Sequence, residues 1–162
     1  MKRFNLLLAA IMWTCTIYGQ KMNVEPNTRG TYAVDSIQVN APVSKVYSLI
    51  ANINDWPGWF GDVTWVQISG AAEEGKSFIW KANGYNIKST LHTVRSNTDI
   101  GWTGKIWWIK AVHNWHFETS ADGSTKVIVK ESFAGPGSML LRKSLKKDMR
   151  KDLLELKKKS EI

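Results

Sequence analysis

The chain has 162 residues, of which 43% are hydrophobic, 22% charged and 11% aromatic, and it carries a formal charge of +8. Nine Trp, five Phe and four Tyr exclude a disordered chain, and a lone cysteine, Cys15, excludes a disulfide or zinc framework. A single domain of this size buries roughly 70% of the surface its unfolded chain exposes, and three histidines (His92, His113, His116) speak against a catalytic metal centre.

Lys2 and Arg3 precede thirteen mostly apolar, uncharged residues, Leu6 to Tyr18. A membrane-spanning helix needs about 20 such residues, so residues 1–20 read as a signal peptide. The mature N-terminus is expected between Gly19 and Asn23, and the protein is expected outside the cytoplasm, periplasmic or secreted. Met12-Trp13-Thr14 is too bulky for a lipidation box at Cys15.

Residues 30–160 read as one domain. Tyr32 to Val39 has strand alternation, and Pro42 opens a helix whose stripe is Val43, Val46, Ile50 and Ile53. Asp55-Trp56-Pro57 begins a second short helical piece, in which Trp56 and Trp59 either plug the start of the sheet or cover a cavity mouth. Strands are expected at 62–69, 76–82, 85–95, 100–105, 106–119 and 125–134. Ser138 to Lys159 contains neither Gly nor Pro and reads as a long helix.

The turns fix which side chains share a sheet face. A two-residue turn at Asn83-Gly84 sets Trp80 opposite Ile87 and puts Phe78, Trp80, Ile87 and Leu91 on one apolar face. A three-residue loop, Ala121-Asp122-Gly123, sets His113 opposite Glu131 and Trp115 opposite Val129, so a histidine and a carboxylate share an aromatic-rich face. His92 and His116 fall on the wet face. On the last helix, Leu141, Leu145, Met149, Leu153 and Leu156 form an apolar arc.

The positive charge is concentrated. Residues 20–141 carry eleven basic and ten acidic side chains, and residues 142–162 carry nine and four. This stripe reads first as a solvated face, with a weak contact to an anionic membrane surface as the alternative. A nucleic-acid partner is not expected.

The order of these motifs resembles the START-like SRPBCC superfamily, in particular its polyketide cyclase/dehydrase and lipid-transport group. The resemblance rests on residues 36–47, on Asp55-Trp56-Pro57-Gly58-Trp59, and on residues 75–80 and 100–104. It continues in residues 111–118 and 131–135, and the whole covers nearly all of 34–158. It implies an α+β helix-grip fold: a curved antiparallel sheet wrapped around a long C-terminal helix, with two short helices after the first strand and a hydrophobic cavity between sheet and helix. The expected ligand is a hydrophobic or aromatic small molecule, with no cofactor and no metal. Candidate wall residues are Phe78, Trp80, Ile87, Leu91, Trp102, Ile109, His113, Trp115, Val129, Glu131, Phe133, Leu145 and Met149. One alternative is a cyclase- or dehydratase-type enzyme using His113 and Glu131 as acid and base. Another is a non-enzymatic envelope interaction module with a solid interior.

Overall fold

The computed structural model describes residues 24–27 and 30–162. The expected signal segment lies outside the described residues. β1 (Thr31–Val39) leads through Pro42, whose missing N–H is harmless at a helix start, into α1 (Val43–Ala51). A 3₁₀ turn, Ile53–Asp55, follows. Then come β2 (Val63–Gln67), β3 (Ser77–Ala82), β4 (Tyr85–Arg95), β5 (Asp99–Ile106), β6 (Ile109–Thr119) and β7 (Thr125–Ala134). A 3₁₀ turn, Ser138–Leu141, leads into α2 (Arg142–Ser160).

The seven strands form one antiparallel sheet in the order β1-β7-β6-β5-β4-β3-β2, gripped around α2. α2 buries Leu145, Met149, Leu153 and Leu156, the apolar arc its spacing predicts, while Leu141 falls in the preceding 3₁₀ turn. The last helix therefore starts four residues later than expected, after Gly137 turns the chain with φ 77°. Along its length α2 is pinned to β1 and the segment after it. Arg150 Nη2 donates to Asp35 at 2.6 Å, Lys157 Nζ to Gln38 O at 2.6 Å, and Asn40 N–H to Glu161 at 2.7 Å. Arg150 and Lys157 of the basic stripe are thus tied down, although exposed ion pairs contribute only about 0–1 kcal/mol each.

The registers follow the turns. Trp80 faces Ile87 across a turn with Asn83 at φ 51° and Gly84 at φ 81°, and His113 faces Glu131 as Trp115 faces Val129. The Ala121–Gly123 loop is closed by the Ser120 N–H bond to Ser124 O at 2.8 Å, and Asp122 accepts from both the N–H and the hydroxyl of Ser124.

Two further expectations need correction. Trp107 and Trp108 are a two-residue turn, not the start of a strand at 106, and Trp107 sits at φ 52°. Their apolar character continues the alternation of the flanking strands and hides the turn. A bulky side chain held there costs about 1–3 kcal/mol. His92, expected on the wet face, is half-buried instead. It lies over Gly101, where an added Cβ would come within 2.5 Å of the imidazole Cε1. Burial first, and His113 second, push its pKa down to about 4.

Candidate functional site

A cavity of about 340 Å³ lies between α2 and the inner face of the sheet, within the range of small-molecule pockets. Its wall is made by side chains that alternate inward along β3 to β7, which is why they recur at every second position. Of the residues singled out above, Trp80, Ile87, Trp102, Ile109, His113, Trp115, Val129, Glu131, Phe133, Leu145 and Met149 line it. Phe78 and Leu91 do not. They share the inner face but are almost fully buried in the core, where Phe78 packs edge-on against Trp56 at 5.7 Å.

Trp56 does not line the cavity but packs in the core behind its wall. Its ring is buried among Phe60, Phe78, Trp80 and Trp102, and its Nε1–H donates to Ile50 O at 3.0 Å. It is a plug. Trp59 is only partly buried and packs on Phe60 at 5.3 Å.

The polar part of the wall begins with the pair on β6 and β7. His113 Nδ1 lies 3.0 Å from Glu131 Oε1, and its ring stacks on Trp102 at 5.1 Å and 16°. The stack and the hydrogen bond together hold the imidazole in one orientation. The indole N–H groups of Trp102 and Trp115 are buried without a hydrogen-bond partner among the described residues. Each such donor costs about 1–3 kcal/mol of desolvation.

Two further carboxylates were not anticipated. Asp148 and Asp152 line the cavity from α2, four residues apart and each three beyond an inward Leu145 or Met149. That spacing is the signal by which they could have been found, because i, i+3 and i, i+4 neighbours share a helix face. Burial first, then the charges of Glu131, Glu155 and Asp148, push the pKa of Asp152 up to about 8. Asp148 is raised too, by burial and then by Glu131 and Asp62.

The loop after Phe60 is fastened over Asp152. Gly61 N–H donates to Glu155 at 2.6 Å, and Lys151 Nζ donates to Asp62 at 2.6 Å. Gly61 has φ 52°, and a Cβ there would stand 2.8 Å from Asp152 Oδ1, so only glycine fits without displacing that carboxyl.

Asp152 makes stability depend on pH. Its ordinary value is 3.8, so between about 4 and about 8 the folded chain holds a proton that the unfolded chain has released. Stability therefore falls as pH rises through that window, by at most about 1.4 kcal/mol per unit. Asp152→Asn is expected to flatten this slope and to be the more stable protein at the alkaline end. Urea denaturation at about pH 5 and about pH 8 reads the difference, and parallel pH profiles for the two proteins would refute it.

With the geometry defined, comparison with known proteins gives the family. The profile described as polyketide cyclase / dehydrase and lipid transport matches residues 31–161, nearly the whole described chain. The chain belongs to this family. Among solved structures, the chain is similar to the hypothetical protein jhp0584 from Helicobacter pylori, at 15% identity and TM-score 0.71, with 99% of each chain covered. It is also similar to a START superfamily protein from Mycobacterium smegmatis, at 14% identity and TM-score 0.68, over 82% of this chain and 98% of that one. A third similarity is to the di-domain ARO/CYC BexL from the BE-7585A biosynthetic pathway, at 21% identity and TM-score 0.66, over 78% of this chain and 45% of that one. At these identities the likeness establishes the fold, and fold does not set function. No curated protein matches the sequence.

Proposed function

We propose that the protein binds a hydrophobic or aromatic small molecule, lipid-like in character, in the cavity between sheet and α2, and that it acts outside the cytoplasm as a carrier or sensor. The observation that carries this reading is the cavity itself. About 340 Å³ of space is walled by Trp80, Trp102 and Trp115, with the hydrogen-bonded His113–Glu131 pair in the same wall. An interaction module with a solid interior would have filled that space, because cores pack to crystal-like density. His113 and Glu131 give an otherwise apolar ligand a polar end to hold, and Asp152, protonated at neutral pH, adds a donor. The export component rests on Lys2, Arg3 and the apolar run Leu6–Tyr18.

A second reading is favoured by one specific feature. A hydrogen-bonded imidazole and carboxylate, with a further carboxyl raised to about 8 in the same cavity, are suited to moving protons at a bound substrate. A cyclase- or dehydratase-type step would use that set.

Ala111 lines the cavity on β6, so Ala111→Trp places a large ring in the open space. Titration with the neutral fluorophore N-phenyl-1-naphthylamine is expected to saturate at one probe per wild-type chain and to fail with Ala111→Trp. Unchanged probe binding by a folded Ala111→Trp protein would place the ligand elsewhere. Native mass spectrometry of protein taken from its own host then gives the mass of what the cavity carries. Turnover of that compound separates the enzyme from the carrier.

A further inference from the structure

Among the described residues, four of the five most exposed large apolar side chains gather at one end of the molecule, the fifth being Ile162 at 85%. Trp107 is 66% exposed, Trp108 60%, Met139 79% and Leu140 88%, and Tyr85 is nearly half exposed beside them. They come from three segments: the β3–β4 tip, the β5–β6 tip and the 3₁₀ turn before α2. Contacts join the three. The Trp107 ring lies 5.6 Å from both Tyr85 and Trp108, and Trp108 Nε1–H donates to Pro136 O at 3.1 Å, just before Met139 and Leu140.

Trp107 is also strained. It adopts φ 52°, the conformation that Asn83 takes in the neighbouring turn, and remains largely in water. The fold gains little burial from a tryptophan at this position. Backbone strain retained without a packing return points to a partner outside the chain.

The sequence segments that carry the patch hold charges of one sign. Residues 81–90, 103–112 and 134–147 contain Lys81, Lys88, Lys105, Lys110, Arg142, Lys143, Lys146 and Lys147, and no Asp or Glu. Lys88, Lys105 and Lys110 stand directly opposite one another across β4, β5 and β6, an arrangement that is unfavourable within the sheet. The ion pairs of α2 to the sheet side are made further along, by Arg150 and Lys151.

We propose that this end of the molecule, Tyr85, Trp107, Trp108, Met139 and Leu140 ringed by Lys105, Lys110, Arg142 and Lys143, docks on the surface of an anionic lipid bilayer. Trp and Tyr are the residues that settle at the boundary of hydrocarbon and headgroups, and Lys and Arg behind them meet the anionic phosphates. A second copy of the chain fits poorly, since a two-fold contact would bring the two basic clusters face to face. No helix among the described residues is long and apolar enough to cross a membrane, so the contact is peripheral. Tyr85 and Trp107 belong to the cavity wall as well as the patch. Docking therefore brings the cavity mouth to the bilayer, and only this consequence for ligand loading rests on the function proposed above.

Co-sedimentation of the purified chain with phosphatidylglycerol/phosphatidylcholine vesicles tests the docking. The wild type is expected to bind these at least about tenfold more tightly than phosphatidylcholine alone, with the preference lost in high salt. Trp107→Gly, which relieves the strain, should raise the denaturation midpoint while weakening vesicle binding. Trp107→Gly with Trp108→Ser should weaken it by about tenfold or more. Lys105→Glu with Lys110→Glu should remove the preference for anionic vesicles. Trp65→Ser, an exposed tryptophan on β2 outside the patch, should bind vesicles like the wild type, and so should the cavity-filled Ala111→Trp. Equal recovery of wild type and Trp107→Gly/Trp108→Ser overturns the proposal. So does a dimer in sedimentation velocity that this pair of substitutions abolishes. Failure of the wild type to bind anionic vesicles, with probe binding intact, overturns the docking alone and leaves the ligand reading standing.

Discussion

Trp56→Ala is expected to lower the unfolding free energy by about 3–5 kcal/mol, the usual cost of emptying a large aromatic site in a packed core. Trp56 has no exposed surface and meets four aromatic rings, at 5.0 Å for Phe60, 5.3 Å for Trp102 and 5.7 Å for both Phe78 and Trp80. Removing it leaves a hole that these rings, held by the loop before β2 and by strands β3 and β5, cannot close together. Trp56→Phe separates packing from polarity. It keeps an aromatic ring but strips Ile50 O, at the end of α1, of the indole N–H it accepts from. That carbonyl has no onward helical partner, so its loss costs about 1–3 kcal/mol. Urea denaturation followed by far-ultraviolet circular dichroism measures both. A loss below about 1 kcal/mol for Trp56→Ala would show that the ring is no plug.

His113→Leu and Glu131→Leu, taken singly, are each expected to cost about 3–5 kcal/mol, because each leaves one buried polar partner unmatched. Both side chains are largely buried and 3.0 Å apart. The double variant removes donor and acceptor together and should recover most of the loss. Binding of the host ligand then distinguishes roles. If the pair anchors the polar end of the ligand, the double variant folds well and loses most affinity, which is the outcome the cavity geometry favours. If the pair is only structural, affinity is retained. If it is catalytic, each single change abolishes turnover and leaves binding nearly intact. Single and double variants of equal stability would show that the hydrogen bond does not matter to folding.

The parts of the fold that the sequence discloses are those set by short turns. Asn83-Gly84 can close in few ways, and the Asp122–Ser124 bonds fix the next hairpin, so the meeting of His113 with Glu131 follows from counting residues. Trp107-Trp108 carries no Gly, Asn or Asp, and nothing local marks it as a turn. Its geometry is imposed by the strands on either side. In the site, alternation reveals which strand residues point inward but not how far along the sheet the helix reaches. Phe78 and Leu91 therefore have the right face and the wrong place. Asp148 and Asp152 escape notice for a different reason. A helix stripe read by its apolar members gives acids at its border to solvent, whereas here the border of the stripe is the cavity wall.

The sheet begins and ends with the same joint. β1 has only β7 as a neighbour, Thr31 pairing with Phe133, and the Thr31 hydroxyl donates to Ser138 O across 107 residues of chain. α2, which seals the core, adds its last clasp when Glu161 accepts the Asn40 N–H. A nascent chain emerging from the ribosome has its first strand ready at once and nothing to place it against. That strand waits until β7 has been synthesised, and the core stays open until the final helix follows. Closure of this domain is thus a late, non-local event, slow by the rule that distant contacts pay loop entropy first. The first strand of the sheet is therefore unpaired until nearly all of the domain has been made.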